Sequence, residues 1–573
     1  MFTHLRLGGG GDSAHAPDVP VPVSLDHLRP AGDLRRRLAL NLRRLRDPEF
    51  HFDAMMTAFT AKDAPGDWVG RCLLALTLHG RLGAEVSAQT EEIIARLPAA
   101  FNARGYLGEI HPPGTADENQ IGGHNALLRG LCEYYRWRAD PRALAMIRSI
   151  VAGLMVPSTP LWAEYPDRLL QELIDNQVVG LTVRREQGAW RGLSTDISTG
   201  FFTLDGLTQA HAVAPSPELR RLIETMIARY AQLDPVALSA QTHSTLTTLR
   251  GILRWWRDAD PRPELLALVR ERFRLYRAAA ETEHHGNYNW FGRPDWTEPC
   301  AIVDAFMVAV QLWSATGEAE LLEEAHRIYF NALAHAQRPN GGYGCDLCTG
   351  ARGLLFAATH EYFEAPWCCS MRGSEGLARA AQHGWFTEGD AVILPFYFGG
   401  TARLELPAGV VALVQESSYP LQGRVGLRVT ASTASRPVTL RWFAPSWSPA
   451  ADFRFARNGA GLPARTEGAF AVITTELCAG DEVVAEFPVR SGAIPLQNPG
   501  RQPGHHRFAH GPLLLGHAGA AAVALPAAAR LEPLGAGRYR CAATGRTLAP
   551  LPALVDLDDA AAKTVRTQIV FAD

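Results

Sequence analysis

Several features that assign a chain to a class at sight are missing from this sequence. Its opening stretch, MFTHLRLGGGGDSAHAP, has no apolar core of the kind a secretory leader carries, and no window holds the roughly 18 apolar residues of a membrane-spanning helix. The expectation is a cytoplasmic protein with no membrane partner. A block of like charge is missing too: 56 basic and 59 acidic residues leave a net charge of -3, and neither sign forms the long run that marks a nucleic-acid partner. Nine cysteines, an odd number in a chain with no leader, argue against a disulfide framework and leave reduced thiols available.

What is present is ordinary globular material, 47% hydrophobic and 20% charged, in a chain of 573 residues. That length exceeds what one core can serve, so two or three domains are expected. From about residue 35 to 385 the apolar spacing is helical and falls into hairpins. LCEYYRWRADPRALAMIRSIV (131 to 151), LRGILRWWRDADPRPELLALVRERF (249 to 273) and VAVQLWSATGEAELLEEAHRIYFNAL (308 to 333) share one layout. An aromatic closes the first helix at Trp137, Trp256 or Trp313, a short acidic turn follows, and a Leu-rich second helix begins. Asp140 and Asp260 precede Pro141 and Pro261, as an N-cap precedes proline in a first turn. This weak repeat can stack openly or close into a ring. A closed α/α toroid is favoured, because polar and aromatic inserts at 103 to 123, 184 to 201 and 281 to 299 have the form of loops crowding one rim.

After Trp385 the texture changes to short alternating runs such as ARLELP, GLRVTAS and VTLRWFAP between Gly, Pro, Asp and Asn clusters. That pattern predicts an antiparallel β-sandwich. The division is a tail over 1 to 34, a helical toroid over 35 to 385, the sandwich over 386 to 500 and a small β region over 501 to 573. The sandwich has three open roles: covering the barrel, binding carbohydrate, or pairing two chains into a homodimer.

Chemistry concentrates in WTEPCAIVDAF (296 to 306), GYGCDLCTGARG (342 to 353) and APWCCSMRGSEG (365 to 376). Thiolate is the soft ligand that zinc selects, and a carboxylate can complete its shell. Adjacent cysteines suit a structural finger poorly, since fingers space their pair by about two to four residues. A clamp of Glu298, Cys300, Cys368 and Cys369 would instead pin a zinc where two inserts meet. Two other readings stay open: a structural zinc on Cys345, Cys348, Cys368 and Cys369, or buried thiols with no metal. Zinc at the adjacent pair would deprotonate it and make a nucleophile at neutral pH. A sulfur attacking a sugar then needs a carboxylic acid opposite it.

Glu298-Pro-Cys300 heading one helix, Cys368-Cys369 heading another, the Gly123-His124 helix start and HRFAHGPLLLG (506 to 516) together resemble glycoside hydrolase family 127, the β-L-arabinofuranosidases, over roughly residues 60 to 520. The resemblance implies an (α/α)6 barrel followed by β-sandwich domains and a retaining glycosidase with a carbohydrate substrate. It implies Cys368 as nucleophile, with Glu298, Cys300 and Cys369 holding zinc beside it, and His124 and His243 in the pocket. Two motifs depart from the family. Its acid/base glutamate follows a glycine, whereas here Asn287 follows Gly286, leaving Glu283, Glu281 or Asp295 to supply the acid. Its cysteine pair is followed by Pro-Pro-Asn, whereas here Ser370 to Gly373 follow. Of the carboxylates, Glu283 is the first choice. Trp290, Phe291 and Trp367 could offer a face to a sugar ring, and Arg293 or Arg372 could read a hydroxyl or carboxylate. Two further readings compete with hydrolysis: a glycan-binding or structural protein that kept the zinc clamp, and a sugar epimerase or isomerase working through His124 and His243.

Overall fold

The computed structural model describes residues 19–167, 185–194, 196–294, 296–349, 354–357, 364–497, 503–519, 521–558 and 566–572. Twelve helices form its first layer. They are α1 (Gly32–Arg44), α2 (Asp67–Arg81), α3 (Ser87–Arg96), α4 (Glu118–Arg138), α5 (Pro141–Ile150), α6 (Thr203–Val213), α7 (Pro217–Tyr230), α8 (Thr242–Asp258), α9 (Pro263–Ala279), α10 (Pro299–Thr316), α11 (Ala319–Arg327) and α12 (Cys369–His383). The even-numbered helices pack in sequence, and α12 closes back onto α2, so the hairpins form a ring. Each odd-numbered helix backs an inner one, α3 on α2 through α11 on α10, while α1 backs α12 across the seam. The fold is the expected (α/α)6 toroid.

Position in the ring explains composition. Inner α10 is buried without a break from Pro299 to Val310, and outer α11 buries Leu321, Leu322 and Ala325 on one face. The inner ring is tight where glycine permits it. A Cβ on Gly70 would lie 2.2 Å from the Leu127 backbone nitrogen, and one on Gly251 would lie 2.6 Å from the Leu204 carbonyl carbon. One sequence expectation fails here, because Pro299–Thr316 and the run Pro141–Trp162 are both long and apolar enough to cross a membrane. In α10 that apolarity has a local cause, since 78% of the window is buried among neighbouring helices.

Asp140 caps α5 by accepting from the Arg142 backbone N–H at 2.8 Å. Asp260 does not cap α9, which starts at Pro263, two residues beyond the expected proline. Its carboxylate binds the Arg262 guanidinium instead.

The lumen of the ring holds charge. Arg129 of α4, Asp205 of α6, Arg250 of α8, Asp304 of α10, and Arg372 and Glu375 of α12 form one buried network, with Arg250 at 2.6 Å from Asp304 and 2.9 Å from Glu375. Toward the C-terminal ends of the helices, Glu133 is shared by Arg81, Arg136 and Arg379. Burial alone would raise the Glu133 carboxyl, but Arg379, Arg81 and Arg136 hold it down at about 2, against 4.5 when unpaired. A folded value below the unfolded one means stabilisation that is complete above pH 4.5 and lost as pH falls toward 2. The melting temperature, followed by circular dichroism, is therefore expected to drop across that interval, with a shallower drop in Glu133→Gln. Equal slopes in the two proteins would contradict the assignment.

Two sheets follow the toroid. One runs Val21–Pro22, Phe386–Glu388, Ala391–Leu394, Val438–Phe443, Phe470–Thr475, Arg465–Glu467, and the other Ala460–Leu462, Arg454–Arg457, Glu482–Glu486, Arg424–Ser432, Gly409–Ser417, Gly400–Leu406, Leu28–Pro30. Pairing is antiparallel as expected, except that Ala391–Leu394 lies parallel to Val438–Phe443. Burial alternates strictly along Gly400–Leu406, whose Ala402 and Leu404 face the core. The predicted tail over 1 to 34 is corrected in its second half: Val21–Pro22 and Leu28–Pro30 are edge strands of the two sheets. Strands of two and three residues carry no readable period. A third sheet joins His505–His510 and Leu513–Ala518 to Asp346–Thr349 and Leu354–Ala357 from the insert before α12, so the C-terminal β region docks on the toroid rather than hanging from it.

Candidate functional site

The inserts all precede inner helices, which places them on the rim where those helices begin. Glu298 is the N-cap residue of α10, with Pro299 in the first turn and Cys300 one position on. Cys368 holds the same place at the head of α12, and Cys369 is its first helical residue. Two helix starts therefore bring the motifs together. The three sulfurs of Cys300, Cys368 and Cys369 lie within 4.8 Å of one another, with 3.9 Å between Cys300 and Cys369 and 3.3 Å between the adjacent pair. A tetrahedral zinc with Zn–S bonds of about 2.3 Å sets an S···S edge of about 3.8 Å. The Cys300 to Cys369 edge matches that value.

Glu298 enters through Cys300, which forms a second group within 4.8 Å with Glu298 and His243. His243 Nδ1 stands 3.4 Å from Glu298 Oε1, and its Nε2 stands 3.4 Å from Asp304 Oδ2. The other Glu298 oxygen, Oε2, is buried and has no hydrogen-bond donor. Burial holds the Cys300 thiol well above its ordinary value, and the charges of Cys368 and Glu298 add to the rise. A buried cluster of soft donors beside an unpartnered carboxylate oxygen fits a bound cation.

Three residues that the sequence did not assign to the site complete the surroundings. Arg71, from α2, donates to Cys300 Sγ at 3.7 Å and is held by both oxygens of Asp67 at 2.9 Å. Asn287 accepts from the Glu298 backbone N–H at 3.0 Å and donates to Thr242 at 2.9 Å, so the residue following Gly286 braces the head of α10. Asp304 links His243 to the lumen arginines.

The C-x-x-C pair separates. Cys345 reaches the Cys369 thiol, while Cys348 packs on Tyr288 and directs its thiol at the Asp346 carbonyl, 3.9 Å away. Among the described residues, Cys345 and Cys348 do not converge with Cys368 and Cys369 into one donor group.

The remaining predicted residues divide. Both ring nitrogens of His124 serve the backbone: Nδ1 donates to the Gln120 carbonyl at 2.7 Å, and Nε2 accepts from the Leu107 N–H at 3.0 Å. His124 thus clamps a rim loop to α4, and burial pushes its ring down to about 4. Trp290 is buried, donates to Asp196 at 3.0 Å and packs near Trp296 with Arg293 stacked over it, so its ring is core rather than an open face. Phe291 is likewise buried. Arg372 belongs to the lumen network and is corrected as a substrate reader, whereas Trp367, beside Cys368, is half-buried.

Of the candidate acids, Asp295 lies outside the described residues. Glu281 is sealed in: His285 Nδ1 stands 2.9 Å from it and 2.8 Å from Glu324, and Gln497 donates to it at 2.7 Å. Burial and the neighbouring Glu324 push the Glu281 carboxyl up. Arg277 at 2.9 Å from Glu324 and Arg507 at 3.2 Å from His285 already supply cations to that cluster. Glu283 accepts from the Gln497 N–H at 2.7 Å and faces Arg507 at 3.6 Å, which ties it to the third sheet.

Residues 391–489, most of the sandwich, match the family model for the Beta-L-arabinofuranosidase, GH127 middle domain. Solved structures agree over nearly the whole chain. The fold is that of glycoside hydrolase family 127. One solved GH127 β-arabinofuranosidase superposes with a TM-score of 0.68 at 12% identity, covering 97% of this chain and 98% of its own. A GH127 β-L-arabinofuranosidase from Geobacillus stearothermophilus T6 gives 0.65 at 13% identity, covering 95% and 99%. A further structure described as a glycoside hydrolase gives 0.68 at 13% identity, covering 97% of each chain. No curated protein matches the sequence. The resemblance to family 127 is borne out, as is the toroid-plus-sandwich fold.

Proposed function

We propose that the protein is a retaining glycoside hydrolase of the β-L-arabinofuranosidase type, with Cys368 as nucleophile and Glu298, Cys300, Cys368 and Cys369 as the ligands of a zinc ion. The observation that carries this reading is the convergence of three thiols and a carboxylate at the rim where the inner helices begin. Zinc bound there would hold the thiols as thiolates at neutral pH.

The chain's own residues separate the roles. Cys300 and Cys369 are buried, whereas Cys368 is partly exposed, so its sulfur is the one open to a substrate. It sits at the head of α12, where the helix dipole favours negative charge, and Arg71 adds a positive charge close to both Cys300 and Cys368. In the reaction, Cys368 Sγ bonds to the anomeric carbon as the bond to the leaving oxygen breaks, and a carboxylic acid protonates that oxygen. Water then attacks the same carbon, the carbon–sulfur bond breaks, and the carboxylate takes the proton from water. Glu283 has the acid role in this reading, which requires its carboxylate to exchange Gln497 for the substrate.

One observation favours a second reading, glycan binding without hydrolysis: Asn287 is committed to bracing Glu298, and Glu283 is engaged by the third sheet. The epimerase reading needs His124 as a free partner of His243, and His124 is spent on backbone.

Hydrolysis of 4-nitrophenyl β-L-arabinofuranoside and related glycosides by zinc-replete protein is the test, with metal content measured alongside. The expected result is turnover, a single bound zinc, loss of zinc in Cys300→Ser and retention in Cys348→Ser. A zinc-replete protein that binds glycans and cleaves none would select the second reading. Zinc lost from Cys348→Ser would reinstate the C-x-x-C clamp.

A further inference from the structure

The inner helices that carry the thiols at one end enclose a cavity of about 530 Å³ at the other. Cys300 opens α10 while Gln311 and Ser314 line the cavity; Cys369 opens α12 while Arg379 and His383 line it. Eleven or so residues of helix, at about 1.5 Å each, set the two sites roughly 16 Å apart. We propose that this cavity binds a phosphate dianion, free or carried on a small sugar.

Six arginines line it, Arg81, Arg136, Arg250, Arg254, Arg257 and Arg379, against two carboxylates, Glu133 and Asp258. All six guanidinium groups have carboxylate partners, so what matters is the balance. Among the described residues, and counting arginine–carboxylate pairs alone, the network holds eight guanidinium groups, with Arg129 and Arg372 added, against six carboxylates, with Asp26, Asp205, Asp304 and Glu375 added: a surplus of two positive charges. Uncompensated charge in a partly enclosed site is costly, and a doubly charged anion cancels it.

Unpartnered polar atoms point the same way. His383, 3% exposed, has no hydrogen bond at Nδ1; Arg250, 1% exposed, has none at Nε; Arg379 Nε also lacks a partner. All three side chains line the cavity. Basic residues at helix C-termini also offset the negative end of the helix dipole. That role is filled by a cation facing solvent at each helix end, and it gives no reason for buried groups without partners. Guanidinium planes match phosphate and carboxylate oxygens in paired hydrogen bonds, and of the two groups phosphate carries two charges on one centre. The volume exceeds that of phosphate alone, and Trp256 and Phe386 in the wall offer apolar surface to a sugar ring.

Titration calorimetry on the full chain, with inorganic phosphate, a hexose 6-phosphate and the unphosphorylated hexose at constant ionic strength, tests this. Arg136 and Arg257, with side chains 32% and 47% exposed, stand at the mouth and can change without emptying the core. The expected result is saturable binding of phosphate or its ester, none of the hexose, and affinity about tenfold or more weaker in Arg136→Gln and Arg257→Gln, the loss of a charge-assisted hydrogen bond each. Tighter binding of the ester would identify a phosphorylated sugar as the ligand, and equal binding would identify free phosphate. Cys368→Ser should leave the affinity unchanged, which keeps this result independent of the proposed hydrolase. Absence of saturable binding at millimolar phosphate, or equal affinity in both arginine variants and the parent, would overturn the proposal.

Discussion

Cys368→Ser is expected to lower kcat on 4-nitrophenyl β-L-arabinofuranoside by on the order of 10⁴-fold or more, the scale at which removal of a covalent nucleophile acts. The substitution nearly preserves volume but replaces a sulfur that ionises readily with a hydroxyl that does not. The neighbouring thiols cannot substitute for it, because Cys369 turns inward as the first residue of α12 and is 1% exposed, and Cys300 is fully buried. The melting temperature should stay near that of the parent, since the replaced side chain is the one of the three that reaches solvent. Zinc content should fall less than in Cys300→Ser, whose sulfur belongs to both donor groups. Turnover that survives Cys368→Ser would remove the nucleophile assignment and leave the zinc reading standing on its own.

Arg250→Met is expected to destabilise the fold by about 3–5 kcal/mol, the range for removing one partner of a buried ion pair. Arg250 is 1% exposed and holds Asp304 at 2.6 Å and Glu375 at 2.9 Å, so its loss leaves two carboxylates of the lumen short of countercharge. Arg372 contacts the same two acids and Arg129 contacts Glu375, which limits the damage without cancelling it. Pairing the change with Glu375→Gln should recover part of the loss, because one of the abandoned charges goes with it. Urea denaturation of the parent, the single variant and the double variant measures both effects. An unchanged unfolding midpoint in Arg250→Met would mean that the lumen network is not what holds the inner ring together.

The site was legible in the sequence to the extent that its chemistry is local. Glu298, Cys300, Cys368 and Cys369 are soft or acidic donors packed into two short motifs, and each motif heads a helix, so recognising them needs no knowledge of the fold. His243 was named as a pocket residue, and it lies against Glu298. His124 was named on the same footing and turned out to clamp a loop, because a histidine's neighbours in sequence do not reveal which atoms its ring nitrogens meet. Arg71, Asn287 and Asp304 were missed as participants. An arginine and an aspartate inside apolar helices and an asparagine in a loop are unremarkable until chain segments far apart in sequence converge, 229 residues in the case of Arg71 and Cys300. Cys345 and Cys348 read as a unit in sequence, yet only Cys345 reaches the cluster.

By itself the sequence determined the helical hairpins, the change to β texture after Trp385 and the two donor motifs. All three are written in spacings of a few residues, the 3.6-residue period of a helix, the two-residue period of a strand and the adjacency of ligands. Tertiary structure alone decided that the ring closes, with α12 against α2, that Val21–Pro22 and Leu28–Pro30 are sheet edges, and that the inner helices carry thiols at one end and an arginine-lined cavity at the other. These depend on which distant segments meet, and no local period encodes that.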